Sequence, residues 1–154
     1  MWEVSGTIVN DQAIVRVGLR EFLPQAPAVQ PVFVPAQYQV ASYLGLVDRG
    51  AQMSAISHNA VSQLGLTSHG KLDVTGAGGT WPHRRYWFYL GFFCKPLGRP
   101  HDENGETYFQ LALPQDAIAI ESNAGFDVIV GMDILKRCDM NFSRSGEFTI
   151  TIYQ

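Results

Sequence analysis

The chain has 154 residues and a formal net charge of −3, a length that suits one domain, 1–154, with room for a core. It is 46% hydrophobic and only 16% charged, with 15 Gly and 8 Pro, and together with many Val, Ile, Phe and Tyr this points to a mainly β domain. Mild acidity gives no electrostatic reason to expect nucleic acid or an anionic membrane as a partner, and no apolar run is long enough to cross a bilayer.

Val4 to Val9 is rich in β-branched residues and ends at the turn signal Asn10-Asp11. Ala13 to Leu19 alternates apolar and polar residues, so the two runs read as a hairpin. Pro24, Pro27, Pro31 and Pro35 mark an irregular or edge connection, because Pro donates nothing to a ladder. The hairpin and this Pro-rich segment occupy 1–36; the remainder, 37–154, reads as the core of the domain. Gln37 to Val47 alternates again and delivers Asp48 into a turn closed by Gly50. Ser57 is a candidate N-cap for a short helix through Val61 and Leu64 that Gly65 stops. Lys71 to Thr75 is a short strand, and Gly76-Ala77-Gly78-Gly79-Thr80 a tip poor in side chains. Trp81 to Arg85 leads into an aromatic strand, Tyr86 to Phe93. Pro96 to Glu106 is a polar loop. Tyr108 to Leu113 and Ala117 to Ile120 are strands, Phe126 to Gly131 is a short buried run, Met132 to Arg137 starts a helix, and Phe148 to Ile152 is a terminal strand.

Two blocks carry a family resemblance. Leu44-Gly45-Leu46-Val47-Asp48-Arg49-Gly50-Ala51 resembles the active-site loop of the retropepsin-like aspartic proteases, which reads Asp-Thr-Gly-Ala or Asp-Ser-Gly-Ala after an apolar strand. Ile129-Val130-Gly131-Met132-Asp133-Ile134-Leu135 is similar to the closing pattern of that family, apolar residues, a Gly and a short helix. The Gly-rich tip lies between them, in the order where the family carries its flap. The resemblance spans roughly residues 37–153. It implies a closed β-barrel, the half-fold of an acid protease, with one or two short helices and a two-fold homodimer. Gly131 would let backbone approach the catalytic loop, and Asp133 would brace the helix. Asp73 and Asp127 read as surface or turn acids.

The implied activity is an aspartic endopeptidase. Water would be activated between two carboxylates, one ionised and one neutral, which share a proton because both cannot ionise cheaply side by side. One Asp-x-Gly supplies half of that pair, so Asp48 from each of two protomers would meet at a symmetry axis. Arg49 and Gly50 complete the loop. Gly76, Ala77, Gly78, Gly79 and Thr80 would close over an extended peptide or protein substrate, and Ile129 and Val130 would wall its side-chain pockets.

Arg49 departs from the family, which has Thr or Ser there to lock the two loops together by a hydroxyl. Two such cations about 4 Å apart, at an effective dielectric of about 20, repel by about 4 kcal/mol. A guanidinium beside the carboxylates also favours their ionised forms and the loss of the shared proton. The alternative function is therefore a catalytically impaired homodimer of the same fold that binds peptides or serves only to dimerise. A third class is a β-rich interaction domain with no carboxylate pair.

No cofactor or metal is expected. His58, His69, His83 and His101 do not fall at metal-ligand spacing, and Cys94 and Cys138 have no flanking ligands. Two cysteines are too few for a disulfide framework. Free thiols fit a cytoplasmic protein, or a domain of a larger polyprotein. The N-terminus lacks a basic region followed by an apolar block.

Overall fold

The computed structural model describes residues 1–23, 32–36, 40–97 and 105–153. Gln37 to Gln39, most of the Pro-rich segment and most of the polar loop before Glu106 lie outside the described residues.

The first two strands, β1 (Trp2–Val9) and β2 (Gln12–Glu21), form the expected hairpin. Asn10 and Asp11 both take positive φ, 49° and 62°, the conformation of a tight two-residue turn and one that these side chains tolerate best after Gly. Strand β3 (Phe33–Pro35) lies at one end of the sheet and, among the described residues, pairs only with β8 (Thr107–Leu111), so Pro35 occupies an edge as its missing N–H requires. Strand β4 (Ala41–Val47) pairs with β2 on one side and in parallel with β10 (Val128–Val130) on the other.

A three-residue strand, β5 (Ala55–Ser57), follows the Asp48 turn and leads directly into helix α1 (His58–Leu64). The predicted caps are both present. Ser57 accepts from the Ala60 N–H, and Gly65 closes the helix in the left-handed conformation at φ 65°. Strands β6 (Gly70–Gly76) and β7 (Gly79–Pro96) form a second hairpin. Strand β7 runs unbroken for 18 residues, so Trp81 to Arg85 is part of the strand and not a lead-in. Counting from the closing pair Gly76↔Gly79, Pro82 falls where its nitrogen points away from β6, and the hairpin ladder loses nothing. Strand β9 (Gln115–Ile120), helix α2 (Met132–Leu135), β11 (Asp139–Phe142) and β12 (Glu147–Ile152) complete the chain.

The strands form one sheet in the order β11-β12-β1-β2-β4-β10-β5-β9-β7-β8-β3, with β6 attached to β7. Strand β7 also pairs with β2, from Val17↔Phe92 to Glu21↔Phe88, so the pairings β2-β4-β10-β5-β9-β7-β2 run in a ring. The N-terminal hairpin is thus part of the same sheet as the core that follows it. Alternation places Val15, Val17, Phe88, Leu90, Phe92, Val128 and Val130 in one buried cluster. At Gly18↔Gly91 two glycines face each other across strands, and the Tyr108 ring fills the space. A Cβ on Gly91 would lie 2.4 Å from the Phe109 carbonyl and 2.5 Å from that ring, so no larger residue fits. Cys94 and Cys138 are free thiols. No described helix is long and apolar enough to cross a membrane.

Candidate active site

Asp48 follows β4 directly. Its N–H donates to the Val130 carbonyl at 3.0 Å, and the Gly50 N–H donates to its Oδ1 at 2.8 Å. The Ala51 N–H closes the turn on the Asp48 carbonyl at 3.3 Å. The carboxylate is half-buried, while Arg49 and Gly50 are exposed. The three-strand platform β4-β10-β5 therefore carries the acid at its end, with one oxygen held by the Gly50 N–H and, among the described residues, no hydrogen bond to the other.

The second motif lies beneath this loop. The Met132 N–H donates to the Ala51 carbonyl at 2.8 Å, and Gly131 sits so close that a Cβ there would meet Met53 backbone at 2.8 Å and the Ala51 oxygen at 2.9 Å. Only glycine permits that approach. Asp133, at the start of α2, receives the Ser54 N–H at 3.0 Å on Oδ2 and the Ser54 hydroxyl at 2.7 Å on Oδ1. The same hydroxyl accepts from the Gly131 N–H at 3.1 Å. Asp133 thus bonds to backbone at Ser54 and Ile134 and joins the loop to the helix that it was expected to brace.

The sequence reading missed Ser54 altogether, and for Ser57 it found the cap but not the bond to Asp127. Both are fully buried. The Ser57 hydroxyl donates to Asp127 Oδ1 at 2.7 Å while accepting from Ala60, and the Ser57 N–H donates to the Asp127 carbonyl at 2.7 Å. Asp127 is therefore not a plain surface acid but the partner of the α1 cap. Burial, and the Asp127 carboxylate after it, push the Tyr43 phenol above its usual range. The available signal was a Ser at each end of the short run Ser54-Ala55-Ile56-Ser57, with one Asp, Asp127, just before the second motif and another, Asp133, inside it.

The other expected site residues are distributed as follows. Val130 is fully buried against Val47, and Ile129, paired with Leu46 and Ala55, is half-buried. Gly76, Ala77, Gly78, Gly79 and Thr80 form the exposed end of the β6–β7 hairpin, where the Thr75 and Thr80 hydroxyls bond at 2.8 Å. The Trp81 ring lies over Gly78 and Gly79 and is 54% exposed. Asp73, on the outer face of that hairpin, is exposed. Among the described residues Arg49 makes no hydrogen bond or ion pair, and no group of three or more His, Cys, Asp or Glu side chains forms a metal cluster.

No family model and no curated protein matches the sequence. Among solved structures, the crystal structure of a retropepsin-like aspartic protease from Rickettsia conorii is similar, with a TM-score of 0.56 over 99% of this chain and 92% of that one. Sequence identity is 10%, so the likeness is one of fold. The chain has the mainly β fold of a retropepsin-like aspartic protease, and the likeness includes the N-terminal hairpin as well as the residues that follow it.

Proposed function

We propose that the chain is one protomer of a homodimeric aspartic endopeptidase, with Asp48 of each protomer sharing one water and one proton at a two-fold axis. The observation that carries this reading is the held carboxylate. Asp48 leaves β4 on a loop bonded to Val130, Gly131 and Asp133, on a fold similar to that of a retropepsin-like protease. The ring of strand pairings is read as a closed barrel that gives this loop its rigidity. One Asp48 takes the water proton as the water attacks the peptide carbonyl, and the neutral partner donates to the carbonyl oxygen. The hairpin tip, Gly76 to Thr80, covers an extended substrate with backbone donors, and Ile129 walls a pocket more readily than the fully buried Val130.

Arg49 sets the terms of the reaction. Two copies of its charge would meet near the axis and repel, so Arg49→Thr is expected to raise cleavage by letting the two loops approach. The test is cleavage of unfolded polypeptide at several protein concentrations. Cleavage whose specific rate rises with concentration, and which Asp48→Asn abolishes, supports the reading. Cleavage that survives Asp48→Asn sinks it.

The second reading, an impaired dimeric or peptide-binding module, is favoured by the exposed and unpaired Arg49. An inactive chain in which Arg49→Thr restores cleavage would establish it.

A further inference from the structure

Where the β6–β7 hairpin leaves the body of the protein, four side chains converge. Backbone pairing of β7 with β9 ends at Arg85↔Ile118. One step further, the Ala119 carbonyl is taken not by β7 backbone but by the His83 imidazole, at 2.9 Å from Nδ1. A carbonyl only accepts, so Nδ1 carries the proton. Pro82, next along, has no N–H to continue the ladder towards β9. Beyond this point β6 pairs with β7 alone. Burial changes at the same place, from exposed Pro82 and Arg84 to buried Tyr86.

Just inside that point both strands of the hairpin are fastened to one carboxylate. Arg85, on β7, grips Asp116 with Nε at 3.3 Å and with a terminal nitrogen on the other oxygen. His69, one residue before β6, reaches the same Asp116 with Nε2 at 2.9 Å, and its N–H donates to the Arg85 carbonyl at 3.0 Å. The His69 ring also stacks on Trp87, with centroids 4.1 Å apart and planes 20° from parallel. Trp87 in turn meets the edge of Phe22. Among the described residues, His83 is the one side chain of 70–84 that hydrogen-bonds outside the arm; at its root the Ser68 hydroxyl donates to the Gly70 carbonyl at 2.8 Å and accepts from the Gly70 N–H at 3.3 Å.

We propose that Asp116, with Arg85 and His69, is the pivot of the hairpin, and that His83 is the latch that holds its arm, residues 70–84, against β9. This rests on the reading of that arm as a lid over Asp48, and it adds the positioning residues that govern the lid's opening. Releasing the His83 bond frees the arm to swing as one ribbon, because its own ladder from Gly70↔Arg85 to Gly76↔Gly79 stays intact. The pivot keeps the motion from spreading into the buried half of β7.

Peptide-resolved amide hydrogen exchange on the full chain tests this without reference to cleavage. His83→Leu removes the latch, and exchange within 70–84 rises about fivefold, the worth of one hydrogen bond, while 86–96 is unchanged. His83→Asn, whose amide can donate to the same carbonyl, restores the slow exchange. Asp116→Ala frees both roots of the hairpin and gives a larger rise, about tenfold or more, still confined to the arm and its base. Unchanged exchange in 70–84 for both His83→Leu and Asp116→Ala overturns the proposal. So does a rise that runs evenly along β7 through 86–96, which would make these side chains general stabilisers. A chain that cleaves nothing but shows the confined, His83→Asn-reversible response loses the enzyme reading and keeps the pivot. A cleaving chain without the response keeps the enzyme and loses the pivot.

Discussion

The Asp48 loop and the β6–β7 arm are built on opposite plans. The loop is short and borrows its order from elsewhere: Val130, Gly131, Met132 and Asp133, about eighty residues further along, supply its bonds. The arm is long and supplies its own order, each residue of β6 answered by a neighbour in β7. A borrowed order is rigid and fails all at once, whereas a self-contained ribbon can move without unfolding.

Thiol chemistry separates the two regions most widely. Burial, then the neighbouring Asp139, pushes the Cys138 thiol up to about 12, against the opposing pull of Arg137. Cys94 is also pushed up to about 12 by burial, with Cys138 and Glu106 adding to it. Only the thiolate reacts, so at pH 8 the native chain is expected to label at both positions roughly a thousandfold slower than an ordinary cysteine. Cys138 lies three residues after α2, its N–H on the Leu135 carbonyl at 3.1 Å, and its labelling reports the opening of the platform. A cysteine placed on the arm by Thr75→Cys should label at nearly the free rate. Equal rates at the two places would erase the distinction.

Next in size is Gly131→Ala. The added methyl meets backbone at 2.8 Å with no flexible side chain to give way, and the expected loss is about 3 kcal/mol or more by urea denaturation. Ser54→Ala follows, at about 2 kcal/mol, because it leaves the Gly131 N–H without its buried partner and takes from Asp133 Oδ1 one of its two donors, the other being the Ile134 N–H. The smallest effects belong to the arm. Lys71→Ala and Arg84→Ala, both exposed on its outer face, should stay within about 0.5 kcal/mol. A large loss at either would mean that the arm is part of the cooperative core.

The same contrast explains what the sequence made legible. Features set by local chemistry could be read directly: the Asn10-Asp11 turn, the Ser57 and Gly65 caps, the acid after an apolar strand, and the Gly that precedes a short helix. Strands β5 and β11 escaped because three or four residues carry no periodicity, and Asp139 and Asn141 are poor strand formers. The front half of β7 was hidden by Pro82, Arg84 and Arg85, which only make sense once the strand is known to leave the sheet there. Ser54 went unremarked, and Asp133 could be read as a brace of its helix but not as the partner of Ser54, because the bond between them spans 79 positions. No local pattern records such a pairing. Arg49 could be read as a departure from Thr or Ser, but its exposure could not.

The parallel pairing of β4 with β10 also governs when the site can exist. Gly45 meets Val128, and Val47 meets Val130, so a chain emerging from the ribosome carries Asp48 long before it has the residues that hold the acid in place. Contacts this distant form late and slowly. A nascent chain that carries Asp48 but not yet Val128 to Asp133 therefore has the acid and no platform to hold it.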